Sequence, residues 1–297
     1  MDEAAISTFD AIKANLFPRS HAAISNWEKF PWHRDRSGVI QTNKIESSQA
    51  LAIDVFGTIQ VSDEKDRILA ALARRCGVPD EGPWIVKLEW VDPANFLGEP
   101  TPTHVDAVAF GKSAILLTEC KFTEAGGACS QPNPILKGPH RGLRQCNGDY
   151  ALQTNPINGK TGRCALTGKG VRYWEMIPEI FGLAPETDYS PCPFRGENYQ
   201  WMRNVLLAHR LATARKVSGA VLAVFADGES FVTSRKAHSG ALGFQAASGK
   251  KFIFPISYQS IISLARLTSD HPKEWVDLEK WIERKITTVE ARKNATN

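Results

Sequence analysis

The stretch HVDAVAFGKSAILLTECKF, residues 104–122, consists of two short apolar runs on either side of a Gly111-Lys112 pair. Runs of this length and composition predict two β-strands, and the Gly-Lys pair predicts the turn of a hairpin between them. Asp106, Glu119 and Lys121 interrupt the apolar pattern. Charged side chains are rarely buried unless they are paired or bind an ion, so these three indicate more than packing.

Strand geometry brings the three charged residues together. Alternate residues of a strand share a face, so Glu119 and Lys121 lie on one face, and pairing through the turn places Asp106 close to both. Two adjacent carboxylates raise each other's proton affinity unless a cation lies between them, and Mg²⁺ prefers oxygen ligands. We therefore expect a metal site in which the lysine orients or deprotonates a bound water. The alternative is a structural lysine–carboxylate pair at the sheet edge.

Hydrophobic periodicity on both sides of the hairpin predicts an α/β fold, a mixed central sheet flanked by helices. The predicted helices cover residues 5–17, 44–57, 63–77, 198–216, a segment from 258 and 271–287, with a shorter helical patch at 171–182. The predicted strands cover residues 84–92, 104–110, 113–122, 219–227 and 251–257.

The chain has 297 residues, which is compatible with one large domain. We predict a single domain with a core at about 40–124 and 198–265 and a C-terminal helix at about 271–287. Residues 125–197 between them are rich in Gly, Pro, Asn and Cys and read as a long irregular insertion.

Composition gives weaker information about partners and compartment. A net charge of +4 is compatible with a nucleic-acid partner without indicating one. The acidic N-terminus has no continuous apolar segment, and no run approaches the ~18 apolar residues of a membrane-spanning helix. We expect a cytoplasmic protein, whose six cysteines are thiols or metal ligands rather than disulfides.

Four of the cysteines lie in the insertion, at Cys129, Cys146, Cys164 and Cys192. Four thiolates suffice for a tetrahedral zinc ion or an iron–sulfur cluster, with His140 as a substitute ligand. Because no C-x₂-C pair is present, four free thiols remain the alternative.

The insertion is also unevenly charged, since Asp149 is the sole acidic residue between positions 125 and 174. A cationic loop beside a metal site fits binding to a phosphate backbone without sequence readout, and a solvated basic loop is the alternative. The candidate nucleic-acid contacts are Lys137, Arg141, Arg144, Arg163, Lys169 and Arg172, with Arg203 on the following helix.

The spacing Asp106-x₁₂-Glu119-x-Lys121, with its order of helices and strands, resembles the PD-(D/E)xK nuclease superfamily of restriction-endonuclease-like fold over about residues 40–265. Val105 stands where many members have proline. The segments SSQALAIDVFG, TGRCALTGKGVRYWE and CPFRGENYQWMRN resemble a bacterial family of restriction-endonuclease-like proteins.

The resemblance implies a nuclease that hydrolyses DNA with Mg²⁺ or Mn²⁺ and leaves 5′-phosphate and 3′-hydroxyl ends. Asp106, Glu119 and the backbone carbonyl of Cys120 would hold the ion, and Lys121 would position the attacking water. Some nucleases of the superfamily also carry a four-cysteine iron–sulfur cluster.

Superfamily members commonly add polar residues on two helices. Glu46 and Gln49 fall on the predicted first core helix, where a solvated first helical turn is the alternative. Gln200 on the later helix is similar to the glutamine of RecB-type nucleases.

Three alternatives stay open at this stage. RNA competes with DNA as substrate. The second alternative is a non-catalytic nucleic-acid-binding module with a vestigial site, and the third is a zinc-braced interaction domain. A homodimer, or a separate targeting or motor subunit, is compatible with the sequence, which contains no G-x₄-G-K-[ST] loop.

Overall fold

The computed structural model describes residues 3–227, 239–244 and 251–296, and within these it forms a mixed five-stranded sheet. The order across the sheet is β1-β2-β3-β6-β7, with antiparallel pairing from β1 to β3 and parallel pairing from β3 to β7. A separate two-stranded ribbon pairs β4 with β5. The strands are β1 Ile85–Val91, β2 His104–Phe110, β3 Ala114–Cys120, β4 Gln153–Thr154, β5 Thr161–Gly162, β6 Ser218–Phe225 and β7 Ile253–Ser257.

Helices cover both faces of this sheet. The α-helices are α1 Glu3–Ala14, α2 in two turns (Ser48–Ala52 and Thr58–Val61) around a π-helical turn Ile53–Gly57, α3 Lys65–Arg75, α4 Tyr173–Phe181, α5 Asn198–Arg215, α6 Tyr258–Thr268 and α7 Pro272–Thr296. Short 3₁₀ segments cover Pro18–Ala23 and Thr167–Lys169. No helix in the described ranges is long and apolar enough to cross a membrane.

The predicted α/β class, a mixed sheet flanked by helices, is confirmed. Several helix boundaries differ from the prediction by a few residues, and two of the differences bear on the argument. The helix predicted from residue 44 begins at Ser48, because the side chain of Ser47 accepts the Ala50 N–H and caps it. The C-terminal helix predicted to end near 287 continues to Thr296, beyond its apolar contacts with the core.

Two apolar cores lie on opposite faces of the sheet. On one face, α2, α3, α6 and α7 pack against the sheet, and the core includes Tyr258 of α6, Trp275 of α7 and Trp84, which immediately precedes β1. On the other, α4 and α5 pack over Ile115 and Leu117 of β3, with Trp201 at the centre. Every residue of β3 is buried. A carboxylate on β3 is therefore removed from water, which is unfavourable unless the charge is paired. The presence of Glu119 on this strand thus indicates more than packing.

The β2–β3 turn is closely packed and provides a stability prediction. A Cβ at Gly111 would lie 2.8 Å from ring atoms of the buried Trp84. Gly111→Ala should therefore lower the free energy of unfolding by about 1–3 kcal/mol in urea titration, the usual cost of overpacking. Gly168→Ala is the control, because a Cβ there meets nothing within 4 Å. Equal losses in the two variants would contradict the packing argument.

Candidate active site

Three carboxylates form a row across adjacent strands. In the β1–β2 register, Leu88 pairs with Ala107 and Trp90 with Val105, so Glu89 lies opposite Asp106. In the β2–β3 register, Ala107 pairs with Thr118, and the next position sets Asp106 opposite Glu119. Cross-strand neighbours of this kind have Cβ atoms about 4.5–5.5 Å apart. The sheet thus concentrates negative charge at one end of β1, β2 and β3.

The predicted hairpin residues come together within this row. The Asp106 carboxylate Oδ2 accepts the Cys120 N–H at 2.7 Å. The Lys121 ammonium donates to Glu119 Oε1 at 2.7 Å, and both side chains are buried, with residue exposures of 7% and 5%. Burial of these charged groups in a shared cluster is typical of a functional site.

The electrostatics of the row indicate that it requires a cation. Burial, together with the neighbouring carboxylates Glu119 and Glu89, raises the pKa of Asp106 well above its usual range. Burial alone would lower the pKa of Lys121, but Glu119 and Asp106 outweigh it and raise that pKa, so Lys121 is an ammonium at neutral pH. One ammonium among three carboxylates leaves excess negative charge, which a divalent cation would neutralise.

Helix α5 fixes the orientation of Glu119. Gln200 Nε2 donates to Glu119 Oε1 at 2.6 Å, and Asn204 Nδ2 donates to Glu119 Oε2 at 3.0 Å. Residues four apart lie on one helical face, so both amides reach the same carboxylate. Gln200 also accepts the Gly127 N–H at 2.6 Å, which ties the start of the insertion to the site. Gln200, predicted from sequence, is thus brought to the carboxylates, and Asn204 joins it.

Glu89 is a site residue that the sequence reasoning missed. It has φ +46°, in the left-handed region that non-glycine residues rarely adopt, and it is 5% exposed. His33 Nε2 lies 3.4 Å from its Oε2, while its Oε1 is buried with no hydrogen-bond partner among the described residues. Strained backbone and an unpaired buried acceptor are both unfavourable, and such features concentrate at functional sites.

Glu89, His33 and Asp106 each offer a ligand atom, and these atoms lie within 4.8 Å of one another. A hydrogen bond and charge from Glu89 raise the pKa of His33 against the opposing effect of burial. The sequence does contain a signal for Glu89, since it interrupts the apolar strand WIVKLEWVD as Asp106 interrupts the next one. Nothing in the local sequence indicates that the loop bearing His33 returns to the sheet.

The two residues predicted on the first core helix occupy other roles. Gln49 is buried, and its side chain accepts the His33 N–H at 2.9 Å and donates to the Pro31 carbonyl at 3.0 Å. It therefore holds the loop that presents His33. Glu46 precedes the helix and lies in a surface depression beside Arg292, so the structure does not bring it to the carboxylate row.

Arg203 is placed differently from the prediction of a nucleic-acid contact. Its Nε donates to Glu99 Oε1 at 2.7 Å, its Nη2 donates to Thr103 Oγ1 at 3.0 Å, and its guanidinium lies over the Tyr199 ring. Glu99 also accepts from the Tyr173 hydroxyl. The guanidinium thus ties α5 to the segment before β2.

The other predicted basic contacts divide into two groups. Arg163 is paired with Asp188, and Lys169 donates to Gln131 Oε1 at 2.7 Å. The exposed group consists of Lys137, Arg141, Arg144 and Arg172. This second group remains available to a polyanion, and its role stays a prediction. His140 does not line the cavity shared by the four insertion cysteines, which lie together elsewhere in the insertion.

The donor set fits a hard divalent cation. Ligand atoms of Glu89 on β1, Asp106 on β2 and His33 lie within 4.8 Å of one another, and Glu119 on β3 lies opposite Asp106 in the strand register. Glu89 Oε1 is buried and unpaired among the described residues. Carboxylate, carbonyl and water oxygens are the ligands that suit Mg²⁺ and Mn²⁺. Amides from α5 and the ring of His33 supply the outer hydrogen bonds that orient such ligands.

A mixed sheet flanked by helices, with this carboxylate row at one end, defines a protein of the restriction-endonuclease-like class. The comparison with family models supports this, since the model described as restriction endonuclease associating with ARP matches residues 15–282. The chain belongs to that family. No curated protein and no solved structure gives a significant match.

Proposed function

We propose that this protein is a metal-dependent nuclease that hydrolyses phosphodiester bonds of DNA and leaves 5′-phosphate and 3′-hydroxyl ends. The observation that carries the proposal is the row Glu89–Asp106–Glu119, whose two glutamates are buried, with the Lys121 ammonium beside it. Membership of a restriction-endonuclease family supports a nuclease and a DNA substrate. Mg²⁺ dependence and the PD-(D/E)xK type of site are part of the proposal.

In this proposal Asp106, Glu119 and the Cys120 carbonyl would hold Mg²⁺ or Mn²⁺, and Glu89 Oε1 would add a third carboxylate oxygen. When bound, the ion would supply Lewis acidity. The chain's own residues supply position. Gln200 and Asn204 fix both oxygens of Glu119, and the Cys120 N–H fixes Asp106.

Lys121 has a separate role. Its ammonium lies at 2.7 Å from Glu119 and carries a full positive charge at neutral pH. It is therefore placed to hold the attacking water by hydrogen bonding and to stabilise negative charge that develops on the scissile phosphate. Lys121 is buried, and the low local polarity of a buried position strengthens such an interaction.

The surface and the family support the proposed substrate and partner. The exposed basic side chains Lys137, Arg141, Arg144 and Arg172 are suited to the DNA backbone, whose contacts give affinity without sequence readout. The family is described as associating with ARP, and we propose that this chain likewise acts with an ARP partner.

The test uses purified full chain and labelled single- and double-stranded DNA and RNA, each with Mg²⁺, Mn²⁺ or EDTA. We expect cleavage of DNA with either metal, none with EDTA, and loss of cleavage in Asp106→Asn. Cleavage restricted to RNA would overturn the DNA assignment. Binding without cleavage under every condition would favour a nucleic-acid-binding module, and neither binding nor cleavage would overturn both functions.

Glu89 gives a sharper prediction about metal affinity. Glu89→Gln removes the charge and should raise the Mg²⁺ concentration for half-maximal cleavage by roughly tenfold, equivalent to about 1.4 kcal/mol of binding free energy. Measuring cleavage at a series of Mg²⁺ concentrations gives this half-maximal concentration directly. Glu28→Gln, at an exposed position of the N-terminal loop, is the matched control. An unchanged metal requirement in Glu89→Gln would remove Glu89 from the site.

A further inference from the structure

Residues 134–144 of the insertion form an exposed loop, which we call the basic tip. Nine of its eleven residues are exposed, so its shape cannot come from burial in a core. Backbone hydrogen bonds join its two limbs instead. The Ile135 N–H donates to the Leu143 carbonyl at 2.9 Å, and the Gly142 N–H donates to the Ile135 carbonyl at 2.9 Å. The tip is therefore held in a defined shape at the surface.

The base of the tip is anchored in the protein. The Gln145 N–H donates to the Gln131 carbonyl at 3.2 Å and closes the loop. The Gln131 side chain is buried, and its Oε1 accepts from the Lys169 ammonium at 2.7 Å. Pro134 and Pro139 fix two φ angles within the tip. A loop ordered in advance loses less conformational entropy on binding, so the tip is suited to insertion into a partner.

The surface of the tip combines two kinds of side chain. Its cations Lys137, Arg141 and Arg144 are exposed, and no acidic residue occurs in the sequence between positions 125 and 148. Leu136, next to Lys137, is 72% exposed, and Leu143, next to Arg144, is 41% exposed. Single exposed leucines are ordinary. Two leucines, each beside a cation on one anchored loop, indicate a partner that is both anionic and apolar.

A DNA duplex has both properties, because its phosphates are anionic and the faces of its stacked bases are largely apolar. Many proteins that bind the minor groove place Arg and Lys along it and insert an apolar side chain between base pairs, which partly unstacks that step. We propose that the basic tip enters the minor groove of the DNA substrate and that Leu136 is the wedge inserted between two base pairs. The wedge rests on the proposed function, which supplies DNA as the substrate.

The tip lies within reach of a duplex held at the carboxylate row. Gly127 donates its N–H to Gln200, which orients Glu119. Leu136 follows Gly127 by nine residues, so even a fully extended chain would separate them by at most about 32 Å. One turn of a duplex spans about 34–36 Å. The unstacked step is therefore expected within about one turn of the scissile phosphate.

The experiment measures binding and base stacking in EDTA, where metal-dependent cleavage does not intervene. Two duplexes of one sequence are compared, one fully matched and one with a central mismatch, at which unstacking costs less. A 2-aminopurine beside the central pair reports loss of stacking as a rise in fluorescence. Wild type is compared with Leu136→Ala, with the conservative Leu136→Met, and with Leu267→Ala, which removes a leucine that is 78% exposed on α6.

We expect wild type, Leu136→Met and Leu267→Ala to bind the mismatched duplex about tenfold more tightly than the matched one and to raise the fluorescence on binding. In Leu136→Ala the two affinities should agree within about twofold and the fluorescence should stay unchanged, because the wedge is gone. Lys137→Ala should weaken binding to both duplexes alike and lower the salt slope of the affinity by about one, since it removes one phosphate contact.

Two results would overturn the wedge alone. Either the same preference for the mismatch in Leu136→Ala as in wild type, or no preference in wild type, would contradict it, and the latter would assign the exposed leucines to a protein partner. Wild type that binds neither duplex would overturn the tip as a DNA contact. Cleavage in Mg²⁺ is measured separately, so the nuclease proposal is decided independently. Leu136 is exposed, so its variants should match the thermal unfolding midpoint of wild type, which confirms that they fold.

Discussion

Replacing Lys121 by methionine should lower the single-turnover rate of DNA cleavage by about 10²–10³-fold, the usual effect of removing one group that stabilises transition-state charge. Methionine approximates the shape of the lysine stem and removes the ammonium. Glu119 keeps its hydrogen bonds from Gln200 and Asn204, so its carboxylate remains oriented. The variant should therefore still bind Mn²⁺ and DNA while it fails to cleave.

The matched control for this prediction is Lys112→Met. Lys112 lies in the exposed turn of the same hairpin, so the substitution removes an equal charge without touching the row. Single-turnover kinetics with excess enzyme separate the chemical step from binding. A Lys121→Met rate within about twofold of the Lys112→Met rate would contradict the role assigned to Lys121.

Asp54→Asn should have the largest effect on stability. Asp54 is fully buried, and its carboxylate accepts from the Phe17 N–H at 2.6 Å, the Lys285 ammonium at 2.7 Å and the Trp281 indole at 3.0 Å. It thus joins α2 to the N-terminal segment and to α7. Removing one partner of a buried ion pair leaves an uncompensated charge, which destabilises by about 3–5 kcal/mol.

Urea unfolding of wild type and Asp54→Asn measures this loss. Asp80→Asn is the control, because its partner Arg74 is exposed and such surface pairs contribute less than about 1 kcal/mol. The double variant Asp54→Asn with Lys285→Met should recover part of the stability, since it removes the unpaired ammonium as well. Equal midpoints for Asp54→Asn and Asp80→Asn would show that the buried pair does not join these elements.

The central hairpin was predictable because its information is local. Strand alternation put Asp106, Glu119 and Lys121 at the same end of the hairpin, and Asp106 and Glu119 lie opposite each other in the structure. The turn itself lies at Lys112-Ser113, one residue later than predicted, since Gly111 donates its N–H to the Ala114 carbonyl. Gln200 was found through helical spacing and resemblance. Glu89 was missed because residues 92–103 connect β1 to β2, and a connection of this length does not predict which β1 residue lies opposite Asp106. Its positive φ also breaks the alternation on which strand reasoning depends.

Long-range contacts account for the other differences. Gln49 shares a helical face with core residues, but its amide is used by the Pro31–His33 loop, a contact that no local pattern encodes. The prediction for Glu46 depended on a helix that begins at residue 44, but the helix begins at Ser48, after Glu46, and Ser47 caps it. The prediction for Arg203 assumed a guanidinium without a partner in the protein. In the structure the guanidinium donates to Glu99, about a hundred residues earlier in the sequence. For Gln49 and Arg203, the side-chain type and the helical position could be read from the sequence, whereas the partner could not.

The most direct test of the central claim is single-turnover cleavage of a DNA duplex in Mg²⁺ by wild type and Glu119→Gln, purified side by side and matched for thermal unfolding midpoint. Glu119→Gln keeps the shape of the side chain and removes its charge, so it isolates the carboxylate. The account predicts cleavage by wild type that stops on EDTA addition, and no cleavage above background by the variant. Equal cleavage by both preparations would show that the activity does not come from this site and would contradict the account.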